Sequence, residues 1–174
     1  MFRALLPVNH ISMLFAFIAL VTTACSAQTS DHSQAVILQY HHVSEHTPAS
    51  TSIAPQQFTQ HLDLIEDQGF QVLPLPEIIE NLNQGTGFSQ KTLAITFDDG
   101  YLSIYENAFP ELKKRKLPFT IFISPKAIDK QFGNSLSWSQ LKEMQQHGAT
   151  IANHSYQHLH LLAKHNNETF KQWQ

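Results

Sequence analysis

Two groups of residues in this chain have the types and spacing for hydrolytic chemistry. Asp98 and Asp99 close an apolar run in Thr96-Phe97-Asp98-Asp99-Gly100, and His154 and His158 lie four positions apart in Asn153-His154-Ser155-Tyr156-Gln157-His158. On a helical turn, residues i and i+4 share a face about 5–6 Å apart, so two imidazoles placed in this way converge on one ion. A carboxylate completes a three-ligand set that leaves a coordination position for water. The second carboxylate is then free to take a proton from that water. Taken singly, each motif has an ordinary explanation: Asp and Gly suit turns, and a lone pair of histidines at this spacing is commonly a surface feature. Position joins them, because both follow runs that read as strands.

The elements that must hold these residues alternate between short apolar runs and longer amphipathic ones. Ala35 to Tyr40 reads as a buried strand, and Pro55 to Gln68 as a helix with Phe58, Leu62 and Ile65 on its apolar stripe, Leu64 as a further candidate for it, and Gly69 at its end. Phe70 to Leu73 reads as a short strand, and Leu75 to Leu82 as a helix stopping near Gly85. Thr92 to Phe97 is the clearest strand, followed by a helix from Tyr101 to Lys116 that Pro110 interrupts. Phe119 to Ser124 is a further strand, Pro125 to Ser137 a loop, Trp138 to His147 a helix and Ala149 to Asn153 the last strand. This alternation implies βα units and a largely parallel sheet. The candidate residues then fall at strand ends, His41 after the first strand, Asp98 and Asp99 after Thr92–Phe97 and His154 after the last. In α/β folds chemistry collects at that carboxyl edge. The fold class is α/β, an incomplete (β/α) barrel, since about five strands are too few to close one. Asn167 to Gln174 reads as the opening of another helix rather than a finished end.

A chain of 174 residues supports one sizeable core. With a formal net charge of -3 and 14% charged residues it has no basic footprint, which excludes nucleic acid as a partner. The run Lys113-Lys114-Arg115-Lys116 reads as a solvated helix end. Residues 1–27 have the order of a secretory signal peptide: Arg3, an apolar run from Ile11 to Val21 too short for a comfortable membrane span, then small residues. Cys25 is the only cysteine, so no intramolecular disulfide forms. Its place resembles a bacterial lipoprotein cleavage site, where it is lipidated; cleavage after Ala24 or Ala27 by an ordinary signal peptidase is the alternative. Residues 28–34 form a polar tether to a domain over 35–174. The expectation is an exported protein of the periplasm or cell surface, held at the membrane only through a lipid on Cys25.

At the two motifs the chain resembles the polysaccharide deacetylases of the NodB-homology type, carbohydrate esterase family 4, whose T-F-D-D-G is matched by Thr96 to Gly100 and whose H-[S/T]-x-x-H by His154, Ser155 and His158. The resemblance implies Asp98 as general base and Asp99, His154 and His158 as ligands of one divalent metal, zinc first, with cobalt or nickel as alternatives. It further implies attack by a deprotonated water on the acetamide carbon, with the backbone N–H of Tyr101 at the oxyanion. Ile37-Leu38-Gln39-Tyr40-His41-His42-Val43 resembles the Y-H-x-V segment that opens a circularly permuted branch, the exopolysaccharide deacetylases of poly-β-1,6-N-acetylglucosamine. By that resemblance His41 is the general acid, with His42 the alternative, and imidazole suits the task. The family's arginine-bearing R-x-P-Y motif and its Asp-Trp motif have no match after His158, so the C-terminal part of the domain is expected beyond Gln174. The substrate implied is an N-acetylated polysaccharide; peptidoglycan, chitin or xylan are alternative substrates, and a non-catalytic glycan-binding lipoprotein is the alternative from another class.

Overall fold

Thr92–Phe97 holds six consecutive residues that are all buried, and the fold is built around it. A computed structural model of the protein describes residues 34–158. Among them the chain runs β1 (Ala35–Tyr40), β2 (His42–Val43), β3 (Ser52–Ile53), α1 (Pro55–Asp67), β4 (Gln71–Val72), α2 (Leu75–Gln84), β5 (Thr92–Phe97), α3 (Phe109–Arg115), β6 (Phe119–Ile123), α4 (Pro125–Asp129), α5 (Trp138–Gln146) and β7 (Ala149–Asn153). The main sheet is parallel throughout. Its order is β1-β5-β6-β7, with β4 paired to the first two residues of β5 and β6 to the last two. The described strands form an open sheet of five, and β2 with β3 makes a separate small parallel ribbon that the apolar pattern does not announce.

Successive side chains of a strand point to opposite faces. On one face of β5, Leu93, Ile95 and Phe97 enter a large cluster with Phe58, Leu62 and Ile65 of α1. Those three recur at i, i+4 and i+7, the stripe of an amphipathic helix laid on a sheet. On the other face Ala94 packs with Leu75, Ile78 and Phe88 in a smaller cluster. The same alternation carries Thr96 and then Asp98 on that second face. Because β1 pairs with β5 residue for residue, Gln39 opposite Thr96, the face also receives Gln39. Burial requirements of Leu93, Ile95 and Phe97 thus decide which way the acidic strand end points.

Two elements depart from the sequence expectation. Residues 125–137 are not all loop, since Pro125 starts the short α4, where its missing N–H and fixed φ suit the first helical position. The stretch before Lys116 contains a π-helical turn, Ile104–Ala108, ahead of α3. Pro110 lacks the N–H that would bond back to residue 106, and its ring crowds that carbonyl, so the wider turn accommodates it. The basic run does end a helix, but Arg115 is not a solvated cation. Its guanidinium reaches Asp63 at 2.7 Å and Glu66 at 3.0 Å on α1, and Glu111 at 3.6 Å one turn back, which ties α3 to α1. The signal peptide with Cys25, most of the tether and the helix expected at Asn167 to Gln174 lie outside the described residues. Among the described residues no helix is long and apolar enough to cross a membrane.

Candidate active site

The carboxyl ends of β1, β5 and β7 bring the sequence-predicted residues together. Asp98 follows β5 directly; it is 6% exposed, and its N–H donates to the Tyr40 carbonyl at 2.9 Å. His41 follows β1, and its Nε2 stands 3.8 Å from Asp98 Oδ2. A third residue joins this pair unannounced by any motif: Gln39 Nε2 donates to the same Oδ2. Position His41 is held from behind, because Val43 is fully buried, its N–H donates to Ser103 Oγ at 3.3 Å and its carbonyl accepts from Asn107 Nδ2 at 2.8 Å. His42 is turned elsewhere, with its ring stacked on Tyr101 at 3.6 Å between centroids. Burial lowers the His42 pKa, the Asp99 charge raises it and His41 lowers it further. Of the two neighbouring histidines, His41 is therefore the one facing the carboxylate.

Asp99 belongs to a sharp turn rather than to the strand. Asp99 has φ of 68° and Gly100 φ of 70°, two successive left-handed residues. Asp tolerates that conformation better than most residues. At Gly100 a Cβ would meet Ile123 Cγ2 at 3.1 Å in addition to the φ cost, so glycine is demanded by both backbone and space. The turn rotates Asp99 away from Asp98 and toward β7. There Asp99 Oδ1 lies 3.4 Å from His154 Nε2 and 3.1 Å from His158 Nε2.

The histidine pair does not converge through a helical turn, contrary to the expectation from its spacing. After β7 the chain bends with Ser155 at φ 63° and His158 at φ 51°. The His158 N–H donates to Ser155 Oγ at 3.1 Å, which closes the bend. His154 is seated by its N–H on the Ile123 carbonyl at 2.8 Å, while its own carbonyl accepts from Ser124 Oγ at 3.1 Å. The result brings the two imidazoles to 4.8 Å between ring centroids. Ser155 thus orients the turn.

One ligand atom each from Asp99, His154 and His158 lies within 4.8 Å of the others. Two borderline nitrogen donors and one hard oxygen fit a divalent ion of the zinc, cobalt or nickel class. Tyr101 lies against this triad, its phenol pKa raised by burial and by the Asp99 carboxylate. Tyr101 bridges to Ser135, but the hydrogen bonds of that bridge come from Leu102, onto the Asn134 carbonyl, and from Leu136, onto the Gly100 carbonyl. The Tyr101 amide takes no part in it. Two cavities flank the residues, one of about 290 Å³ beside Gln39, His41 and His42 and one of about 230 Å³ beside Asp99, Tyr101 and His158.

A family described as polysaccharide deacetylase matches residues 85–174. Poly-beta-1,6-N-acetyl-D-glucosamine N-deacetylase of Staphylococcus epidermidis is 30% identical over 157 residues, covering 80% of this chain and 54% of that protein. Among solved structures, IcaB from Ammonifex degensii superposes with a TM-score of 0.63 at 36% identity, over 70% of this chain and 52% of that one. The Streptococcus pyogenes deacetylase PplD, solved in complex with acetate, gives a TM-score of 0.67 at 28% identity, over 75% of this chain and 60% of that one. The chain spans about half the length of the curated relatives it matches, 48% and 54% of the first two.

Proposed function

The chain belongs to the polysaccharide deacetylase family, and from that premise we propose that the full-length protein is an exported, metal-dependent hydrolase that removes N-acetyl groups from an N-acetylglucosamine polysaccharide, an exopolysaccharide of the β-1,6-linked type. The observation that carries this reading is one sheet edge where an Asp98–His41 pair stands beside an Asp99–His154–His158 triad. Similarity to a poly-β-1,6-N-acetylglucosamine deacetylase supports the substrate class.

Asp99, His154 and His158 would hold the ion, whose chemistry is to polarise an acetamide carbonyl and acidify water. Asp98 accepts the proton of the attacking water. Gln39, by donating to Oδ2, holds that carboxylate in one orientation and leaves Oδ1 for the water. The Tyr101 amide offers a hydrogen bond to the oxygen on which charge develops. His41, beside Asp98, gives a proton to the departing amine, so the reaction ends with acetate and a free amino sugar. Export rests on residues 1–27, with Cys25 as the lipidation site; the mass of the mature N-terminus distinguishes lipidation from ordinary cleavage.

The test is metal content together with acetate release from N-acetylglucosamine oligomers. Asp99→Ala, His154→Ala and His158→Ala should lose both metal and activity. Asp98→Asn should keep the metal and lose about 10²–10⁴ in turnover, the range of general-base catalysis. An Asp98→Asn protein that works near the wild-type rate would remove Asp98 from its role.

A further inference from the structure

The backbone that carries His41 passes at once into β2, a strand of only two residues. So short a strand does not hold itself in place. On one edge it is paired in parallel with β3, and the Ser44 N–H donates to the Ile53 carbonyl at 2.8 Å. Alternate residues of a strand turn their backbone groups to opposite edges, so both groups of Val43 face away from β3. No strand lies there to receive them. The Val43 N–H donates instead to Ser103 Oγ at 3.3 Å, and its carbonyl accepts from Asn107 Nδ2 at 2.8 Å. Two side chains four residues apart thus supply the donor and the acceptor that a neighbouring strand would have offered, and both buried groups of Val43 are satisfied.

Asn107 stands inside the π-helical turn Ile104–Ala108, and Ser103 immediately precedes it. Single π turns within helices are frequent at functional sites. Ile104 and Ala108 are both fully buried in the same apolar cluster as Val43, which fixes the turn that presents the two polar side chains. On the N-terminal side of His41 the Tyr40 carbonyl accepts from the Asp98 N–H at 2.9 Å. His41 is therefore strung between two anchors, one on the strand end that bears Asp98 and one on the π turn. Its Nε2 stands 3.8 Å from Asp98 Oδ2 only while both hold.

Resting on the deacetylase reading above, we infer that Asn107, with Ser103 as its companion, is a positioning residue for proton delivery: by clamping Val43 it keeps His41 against Asp98. A group misplaced by about 1 Å loses about 10²-fold in rate, so a hydrogen bond two residues away from the acid is felt in turnover.

The experiment uses the full-length zinc-loaded protein. Asn107→Leu keeps the bulk and deletes the donor. It should lower kcat on N-acetylglucosamine oligomers by about 10–100-fold, with KM and zinc content held. Hydrolysis of an aryl acetate should be spared, because an aryl oxide departs without a proton whereas an amine does not. In a His41→Ala background Asn107→Leu should cause no further loss in the residual rate, since it acts through His41. An additive loss in the double variant overturns the inference, as does an equal loss on both substrates. If Asn107→Leu does not fold, Ser103→Ala removes the acceptor from the same clamp and is read in the same way. If the wild-type protein releases no acetate, the hydrolytic reading fails and NMR of the His41 ring decides the clamp. Ring lines that shift or broaden in Asn107→Leu support it, and unchanged lines overturn it.

Discussion

At the scale of single residues, one carboxylate oxygen carries much of the site. Asp98 Oδ2 receives Gln39 Nε2 and faces His41 Nε2 at 3.8 Å, so Gln39 and His41 reach the same atom from β1 and the residue that follows it. A hydrogen bond to a charged group contributes about 1.5–3 kcal/mol. Gln39→Leu keeps the bulk and deletes the donor; kcat on N-acetylglucosamine oligomers should fall about tenfold, with metal content unchanged and KM held. Gln39→Arg retains a donor at that reach and should recover most of the rate. An unchanged kcat in Gln39→Leu would show that Asp98 is oriented by other groups. His41→Ala should lose turnover while retaining metal, and a normal rate there would reassign the acid, with His42 held off by its stack on Tyr101. The identities of Asp98, Asp99, His154 and His158 were legible because motif residues are local in sequence. Gln39 was not, because its partner is 59 positions away and its direction depends on β1 register.

At the scale of elements, β1 couples the site to the core through alternation. Gln39 points to the reaction face, while the next residue, Tyr40, packs on the opposite side against Phe58 at 5.3 Å and Phe97 at 5.6 Å between ring centroids. Burial pushes the Tyr40 phenol up to about 12. A pKa raised in the folded state means that the neutral form is favoured by folding. The contribution is therefore complete below about pH 10 and is lost as pH rises from there toward about 12. Thermal unfolding measured from pH 9 to 12 should show this alkaline decline, and Tyr40→Phe should blunt it. An identical decline in Tyr40→Phe would place the titrating group elsewhere. The strands and helices of this region were readable from apolar periodicity alone. The β2–β3 ribbon and the π-helical turn were not, since two-residue strands carry no period and the turn answers a clash at Pro110.

At the scale of the molecule, the aromatic centre formed by Tyr40, Phe58, Phe97 and Phe119 joins β1, α1, β5 and β6 beneath the carboxyl edge of the sheet. Phe97 is fully buried and immediately precedes Asp98. Phe97→Ala should cost about 3–5 kcal/mol, the range for a large aromatic removed from a packed core, read as the shift in denaturant midpoint. A loss under about 1 kcal/mol would mean that the neighbours collapse into the space. By itself the sequence determined the α/β class, most element positions and the chemistry available at the strand ends, because burial period and motif identity are local properties. Only the tertiary structure decided that His154 and His158 meet through a bend and not a helix, that Arg115 clamps α1, and that Gln39 reaches the Asp98 carboxylate. Each of these depends on strand register and on left-handed turns that fold contacts, not neighbours in sequence, hold in place.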